Sequence, residues 1–183
     1  NIYVSDGYGK ARIHKFSEDG ELLLSWGAPG RGPGQFSLPH GICIDVEDRI
    51  YVADRENSRV QLFDSEGEFL RQWDANRPTD VFIHDGSVYV TELGYSTGLG
   101  LISTSPKDGV RWARLSIFTL DGKPVARWGS KDACALGSFF APHALCVDSK
   151  GDIYVGEVVI TSVGATGSVP ANCHTLQKFV RVH

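Results

Sequence analysis

One five-residue phrase recurs four times along the chain: Ile2-Tyr3-Val4-Ser5-Asp6, Ile50-Tyr51-Val52-Ala53-Asp54, Val88-Tyr89-Val90-Thr91-Glu92 and Ile153-Tyr154-Val155-Gly156-Glu157. Each is a β-branched and aromatic run ending in a carboxylate, which is the composition of a strand. The tyrosines are 48, 38 and 65 residues apart (51−3, 89−51, 154−89), a period near 40 lengthened by insertions. A unit of that size cannot bury its apolar face alone, so it must stack on copies of itself.

The units share an internal order. After the tyrosine strand comes a second apolar run closed by an acidic residue and glycine: Ile13 to Phe16 with Asp19-Gly20, Val60 to Phe63 with Glu66-Gly67, Leu115 to Phe118 with Asp121-Gly122. Such dipeptides between apolar runs mark hairpins. A third run carries Trp26, Trp73 or Trp128, and a proline opens the fourth at Pro39, Pro78 and Pro142. Four short antiparallel strands per unit, without helical periodicity, predict an all-β fold, a β-propeller of four-stranded blades. Residues 1–183 are read as one such domain with about four blades of a ring of six, the remaining blades lying upstream of Asn1. The absence of any methionine agrees with an incomplete sequence.

Composition removes several classes of function. Hydrophobic residues at 42% and charged residues at 22% describe a folding chain. Eighteen Lys and Arg against 22 Asp and Glu leave a net charge of −4, without a basic stripe for a phosphate backbone, so nucleic acid is not expected as a partner. No apolar stretch approaches the roughly 20 residues that cross a bilayer, so no membrane is expected either.

Much of the repetition reads as architecture. The recurring tryptophans are expected to pack blade against blade, and Asp6, Asp54, Glu92 and Glu157 to accept hydrogen bonds from the backbone of the loop that follows each. The glycines at 27, 30, 32 and 34 have no helix after them to make a phosphate loop. Two insertions, Leu93 to Arg114 and Val158 to Thr175, leave the same end of equivalent strands and mark the functional face.

Four cysteines contain no C-x-x-C motif. Cys43 and Cys146 share a repeat position and are expected to be buried, whereas Cys134 and Cys173 fall in loops and are expected to form a disulfide. That pairing would place the protein in a secreted or periplasmic, oxidising compartment.

His40 and His143 each follow the proline that opens a fourth strand, while the intervening copy has Thr79 there. If that strand is innermost, both side chains stand at the mouth of a central channel on alternate blades. Three imidazoles so placed would form a catalytic zinc site with an open position, the third coming from an upstream blade. Alternatively, each histidine caps its strand by bonding a neighbouring backbone. His14, His84, His174 and His183 do not share the position. Neither G-x-S-x-G nor H-E-x-x-H occurs, so a serine hydrolase or helical zincin is unsupported.

The blades resemble NHL repeats. The segments Val4-Ser5-Asp6-Gly7-Tyr8, Gly32-Pro33-Gly34-Gln35-Phe36-Ser37-Leu38-Pro39-His40, Val52-Ala53-Asp54-Arg55-Glu56-Asn57-Ser58-Arg59 and Ala141-Pro142-His143 resemble the peptidyl-α-hydroxyglycine α-amidating lyases. That resemblance implies a six-bladed propeller binding zinc and calcium, with His40 and His143 as zinc ligands, Tyr8 as catalytic base and Arg55 as an active-site arginine. The lyases carry an aspartate after the second histidine, where this chain has Ala144, and Asp80 stands at the matching place on the intervening blade. The implied substrate is a peptide or small carbinolamide, cleaved to an amide and glyoxylate. The rival reading is a non-catalytic NHL propeller whose loop face binds a peptide, sugar or protein. A streptogramin-opening lyase is a third, without its active-site pattern here.

Overall fold

The computed structural model describes residues 1–95, 105–159 and 173–182. Fourteen strands form four antiparallel sheets, as the repeat predicts. The first sheet is β1 (Ile2–Asp6), β2 (Arg12–Phe16) and β3 (Leu22–Trp26). The second is β4 (Pro39–Ile44), β5 (Ile50–Asp54), β6 (Arg59–Phe63) and β7 (Phe69–Asp74), with a 3-10 turn at Arg55–Asn57. The third is β8 (Pro78–His84), β9 (Ser87–Glu92), β10 (Arg114–Thr119) and β11 (Pro124–Trp128). The fourth is β12 (Pro142–Val147), β13 (Ile153–Glu157) and β14 (Leu176–Phe179).

The proline-opened strands β4, β8 and β12 are each first in their sheet, and β4 lies beside β8 and β8 beside β12. They are therefore the inner strands of consecutive blades, and the sheets form an open arc of a propeller. Proline suits this place because an edge strand leaves N–H groups outside the ladder, so a missing one costs nothing.

Apolar side chains fill the spaces between blades. On β5, Ile50 and Val52 pack with Ile13, Phe36 and Trp26, while Tyr51 and Ala53 pack with Val81, Val88 and Phe118 on the other side. A strand buried on both faces thus serves two interfaces, which explains its unbroken apolar run. The tryptophans bridge blades as expected: Trp26 lies 5.9 Å from Phe63, Trp73 6.0 Å from Phe118 and Trp128 5.7 Å from Phe179. Gly122 shows why the turn residue is fixed. Its φ is +85°, and a Cβ there would come within 2.6 Å of the Trp73 ring.

Two expectations need correction. Asp6 does accept from its following loop, at Lys10 N–H (3.2 Å), but the other acidic residues reach elsewhere. Asp54 accepts from Ser37 N–H (2.7 Å), Glu92 from Asn76 N–H, and Glu157 from Phe140 N–H (2.7 Å), all in the segment leading into an inner strand. The carboxylates pin the blade's entrance rather than its own loop. Asp54 and Glu92 also pair with the buried guanidiniums of Arg59 and Arg114, each at 2.8 Å. Cys146 is exposed rather than buried, because strand alternation sends Leu145 and Val147 into the blade interface and Cys146 away from it. Cys43 is half-buried.

Cys134 and Cys173 form the expected disulfide, with Cα atoms 4.3 Å apart. Within the two insertions, residues 96–104 and 160–172 lie outside the described residues, as does the residue at 183. No helix among the described residues is long and apolar enough to cross a membrane.

Candidate functional site

His40 on β4 and His143 on β12 converge across the intervening strand β8, their ring centroids 4.5 Å apart and their planes at 78°. The spacing of alternate blades therefore brings the pair together. Backbone ties run along the inner strands. Ser5 Oγ donates to the carbonyl of His40 (2.6 Å), and His40 Nδ1 lies 2.7 Å from the carbonyl of Thr79. Thr79 Oγ1 in turn donates to the carbonyl of Pro142 (2.8 Å), the residue before His143.

A carbonyl only accepts, so His40 carries its proton on Nδ1 and keeps the Nε2 lone pair free for a ligand. Burial, His143 and Arg55 together lower the His40 pKa to about 4. His143 is lowered too, by burial and then by Arg55. Both rings are thus neutral at pH 7, the form that binds a metal. The donor set fits zinc as far as two imidazoles go. Among the described residues no group of three His, Cys, Asp or Glu side chains completes a metal cluster.

Tyr8 and Arg55 join the pair. Tyr8 sits on the β1–β2 loop, which passes so close to β4 that a Cβ on Gly7 would lie 2.1 Å from the carbonyl oxygen of Pro39. Glycine there is a condition of the approach. The Tyr8 ring is 6.1 Å from that of His40, and its hydroxyl accepts from Arg55 Nη1 at 3.2 Å. Arg55 is buried, its guanidinium 5.8 Å from the Tyr8 ring centroid and held through Nε by Glu56 Oε1 at 2.9 Å.

Asp80 lies between the two histidine strands. Its Oδ2 accepts from Leu145 N–H (2.9 Å), its Oδ1 from Val81 N–H (3.0 Å), and its backbone packs on Gly41. Burial raises its pKa. Two residues do more here than the repeat discloses. Thr79 was legible only as a missing histidine, although its carbonyl and hydroxyl hold both histidine strands. Glu56 was hidden in a polar run, although it carries Arg55 on one side and Arg77 (2.9 Å) on the other.

Fold and site together define an arc of β-propeller blades bearing an NHL repeat, with a histidine pair, a tyrosine and an arginine gathered at the inner strands. Residues 36–63 match the NHL repeat. The chain is 34% identical over 167 residues to NHL repeat-containing protein 3 of Homo sapiens, covering 86% of this chain and 44% of that protein. It is 41% identical over 178 residues to peptidyl-glycine alpha-amidating monooxygenase B of Xenopus laevis, covering 89% of this chain and 18% of that one. The chain thus spans less than half the length of these relatives. A gluconolactonase from Xanthomonas campestris superposes with a TM-score of 0.62 at 17% identity, covering 97% of this chain and 53% of that structure, a likeness of fold alone.

Proposed function

We propose that this chain is part of a zinc-dependent lyase that cleaves a peptidyl-α-hydroxyglycine-like carbinolamide to an amide and glyoxylate. The observation that carries the reading is the gathering of Tyr8, Arg55, His40 and His143, from three separate sheets, into one cluster. The similarity to amidating monooxygenases, which extends over 89% of this chain for one Xenopus laevis enzyme and 39% for the Rattus norvegicus one, supports the same reaction class.

His40 and His143 would hold the zinc, with a third ligand from a blade outside residues 1–183. Bound zinc supplies Lewis acidity that lowers the pKa of a coordinated hydroxyl. Tyr8, oriented by the Arg55 N–H donated to its oxygen, is placed to take the carbinol proton. The C–N bond then breaks as the carbinol carbon becomes the aldehyde of glyoxylate, and Tyr8 returns the proton to the departing amide nitrogen. Arg55, fixed by Glu56, offers a cation to the substrate's carboxylate. Calcium is left out of the proposal, because both Asp80 oxygens already accept backbone N–H groups and Ala144 supplies no carboxylate.

A disulfide and a peptide substrate suit a secreted or periplasmic location, which forms part of the proposal. Ala144 and the similarity to NHL repeat-containing protein 3 favour a second reading, a propeller that binds a peptide, sugar or protein partner without chemistry. Glyoxylate release from an N-acylated α-hydroxyglycine decides between them. The lyase reading expects zinc-dependent release that falls by orders of magnitude in Tyr8→Phe. Release no faster than the uncatalysed rate in the full-length protein supports the binder.

A further inference from the structure

Arg77, the residue before β8, is wholly buried, and no step of the proposed reaction uses it. Burying a guanidinium is costly unless its charge is met by a partner. Its Nη2 donates to Glu56 Oε1 at 2.9 Å, the same oxygen that accepts from Arg55 Nε at 2.9 Å. From the other side Arg77 is fixed at the root of the first insertion, where Nη1 donates to the carbonyl of Gly94 (3.0 Å) and the guanidinium lies 5.9 Å from the Tyr95 ring centroid. One carboxylate thus serves two guanidiniums, and the three side chains together carry a single positive charge. Only one of the two cations can meet a ligand. The Arg55 side chain keeps 7% of its surface exposed beside the Tyr8 hydroxyl, whereas that of Arg77 has none. Without Arg77, Arg55 and Glu56 would make a neutral pair. Inside the protein, where charges are weakly screened, such a pair would attract an anion far less than a net cation does.

We infer that Arg77, without touching the substrate, offsets the charge of Glu56 and so leaves Arg55 a net cation for the substrate's carboxylate. Arg77 is in this sense a positioning residue that acts through Glu56. Because the carboxylate is that of the proposed lyase substrate, the role rests on that reading, and it adds a buried third member to the recognition of the acid.

The test titrates full-length protein with N-acetylglycine and N-acetylglycinamide, which differ by one charge and do not react, followed by calorimetry or ligand-observed NMR. The ratio of the two affinities cancels any loss that both ligands share, as from a loosened fold. Wild-type protein is expected to prefer the acid about tenfold, and Arg77→Met to reduce that preference to about twofold or less. Arg77→Met leaves no buried charge alone, since Arg55 still pairs with Glu56, and an unbranched side chain adds no new strain at its φ of +55°. Arg77→Gln serves the same purpose should Arg77→Met not fold. Arg77→Lys keeps the charge and should keep most of the preference. The decisive variant is Glu56→Gln with Arg77→Met, in which glutamine still offers an oxygen to Arg55 Nε but the anion is gone. It should restore the wild-type preference, whereas a role in merely holding Glu56 predicts none. No preference in the wild type, an undiminished one in the neutral Arg77 variant, or a double variant no better than the single would overturn the inference. Glyoxylate release from N-acetyl-α-hydroxyglycine by the wild type reports separately on the reaction. Release together with a preference indifferent to Arg77 overturns the charge role alone, and a preference that follows the charge without release overturns the lyase alone.

Discussion

Thr79 is the residue through which the two histidines communicate, its carbonyl facing His40 Nδ1 and its hydroxyl bonded to Pro142. Thr79→Val keeps the carbonyl and the shape but removes the hydroxyl. Zinc affinity measured by chelator competition should fall by about tenfold, and Thr79→Ser should restore it, as for other groups that orient metal ligands. A purely structural role would change thermal stability and leave the affinity alone. Asp45, just beyond the end of the His40 strand β4, supplies a pH-dependent case. Burial opposes its ionisation, but Arg49, through its N–H and guanidinium, the Glu47 N–H and the Tyr51 hydroxyl hold the carboxyl below its ordinary value. A carboxylate with a depressed folded pKa stabilises above its unfolded value near 3.8, and that stability is lost as pH falls through the folded value. Asp45→Asn should therefore cost about 1–3 kcal/mol in urea unfolding at pH 7, with the gap to wild type closing below pH 3.8. At this scale the sequence disclosed His40 and His143 because they recur at one repeat position. It hid Thr79, whose contribution is largely a backbone carbonyl, and Glu56, whose partners Arg55 and Arg77 only the fold brings together.

The second, third and fourth sheets are fastened at their entrances by the carboxylate that ends the tyrosine strand. Glu92 on β9 is fully buried, accepts from Asn76 N–H and Ser116 Oγ, and pairs with Arg114 at 2.8 Å. Glu92→Ala would leave Arg114 buried with one of its two carboxylate partners gone, at a cost of about 3–5 kcal/mol in chemical denaturation. A loss under 1 kcal/mol would mean that Asp108, 2.6 Å from Arg114, suffices. Strand order was legible because tyrosine, tryptophan and proline each mark one strand of the blade. The direction of the carboxylate clamp was not, because its donors lie 16 or 17 residues away in sequence and become neighbours only when the sheet forms. Cys146 shows the related limit. Its repeat position predicted burial, whereas the pleat of β12 decides which face it takes.

Across the whole molecule, blades hold together through interface clusters between neighbours, and the four sheets leave the arc open. The Cys134–Cys173 disulfide adds a covalent tie across 39 residues near the fourth sheet. Reduction, or Cys134→Ser, should lower stability by about 2–4 kcal/mol, read as a shift in the urea midpoint. Unchanged unfolding would show that the tie constrains neither the folded nor the unfolded chain. Alternate blades converging on one point is the architectural reason that residues 103 apart (143−40) can share a ligand. Zinc content of the full-length protein, measured by mass spectrometry after exhaustive dialysis, tests that claim most directly. About one zinc per chain is expected, falling to less than about a tenth of that level in His40→Ala and in His143→Ala. Absence of zinc from the wild-type protein, or full retention in both variants, would contradict it.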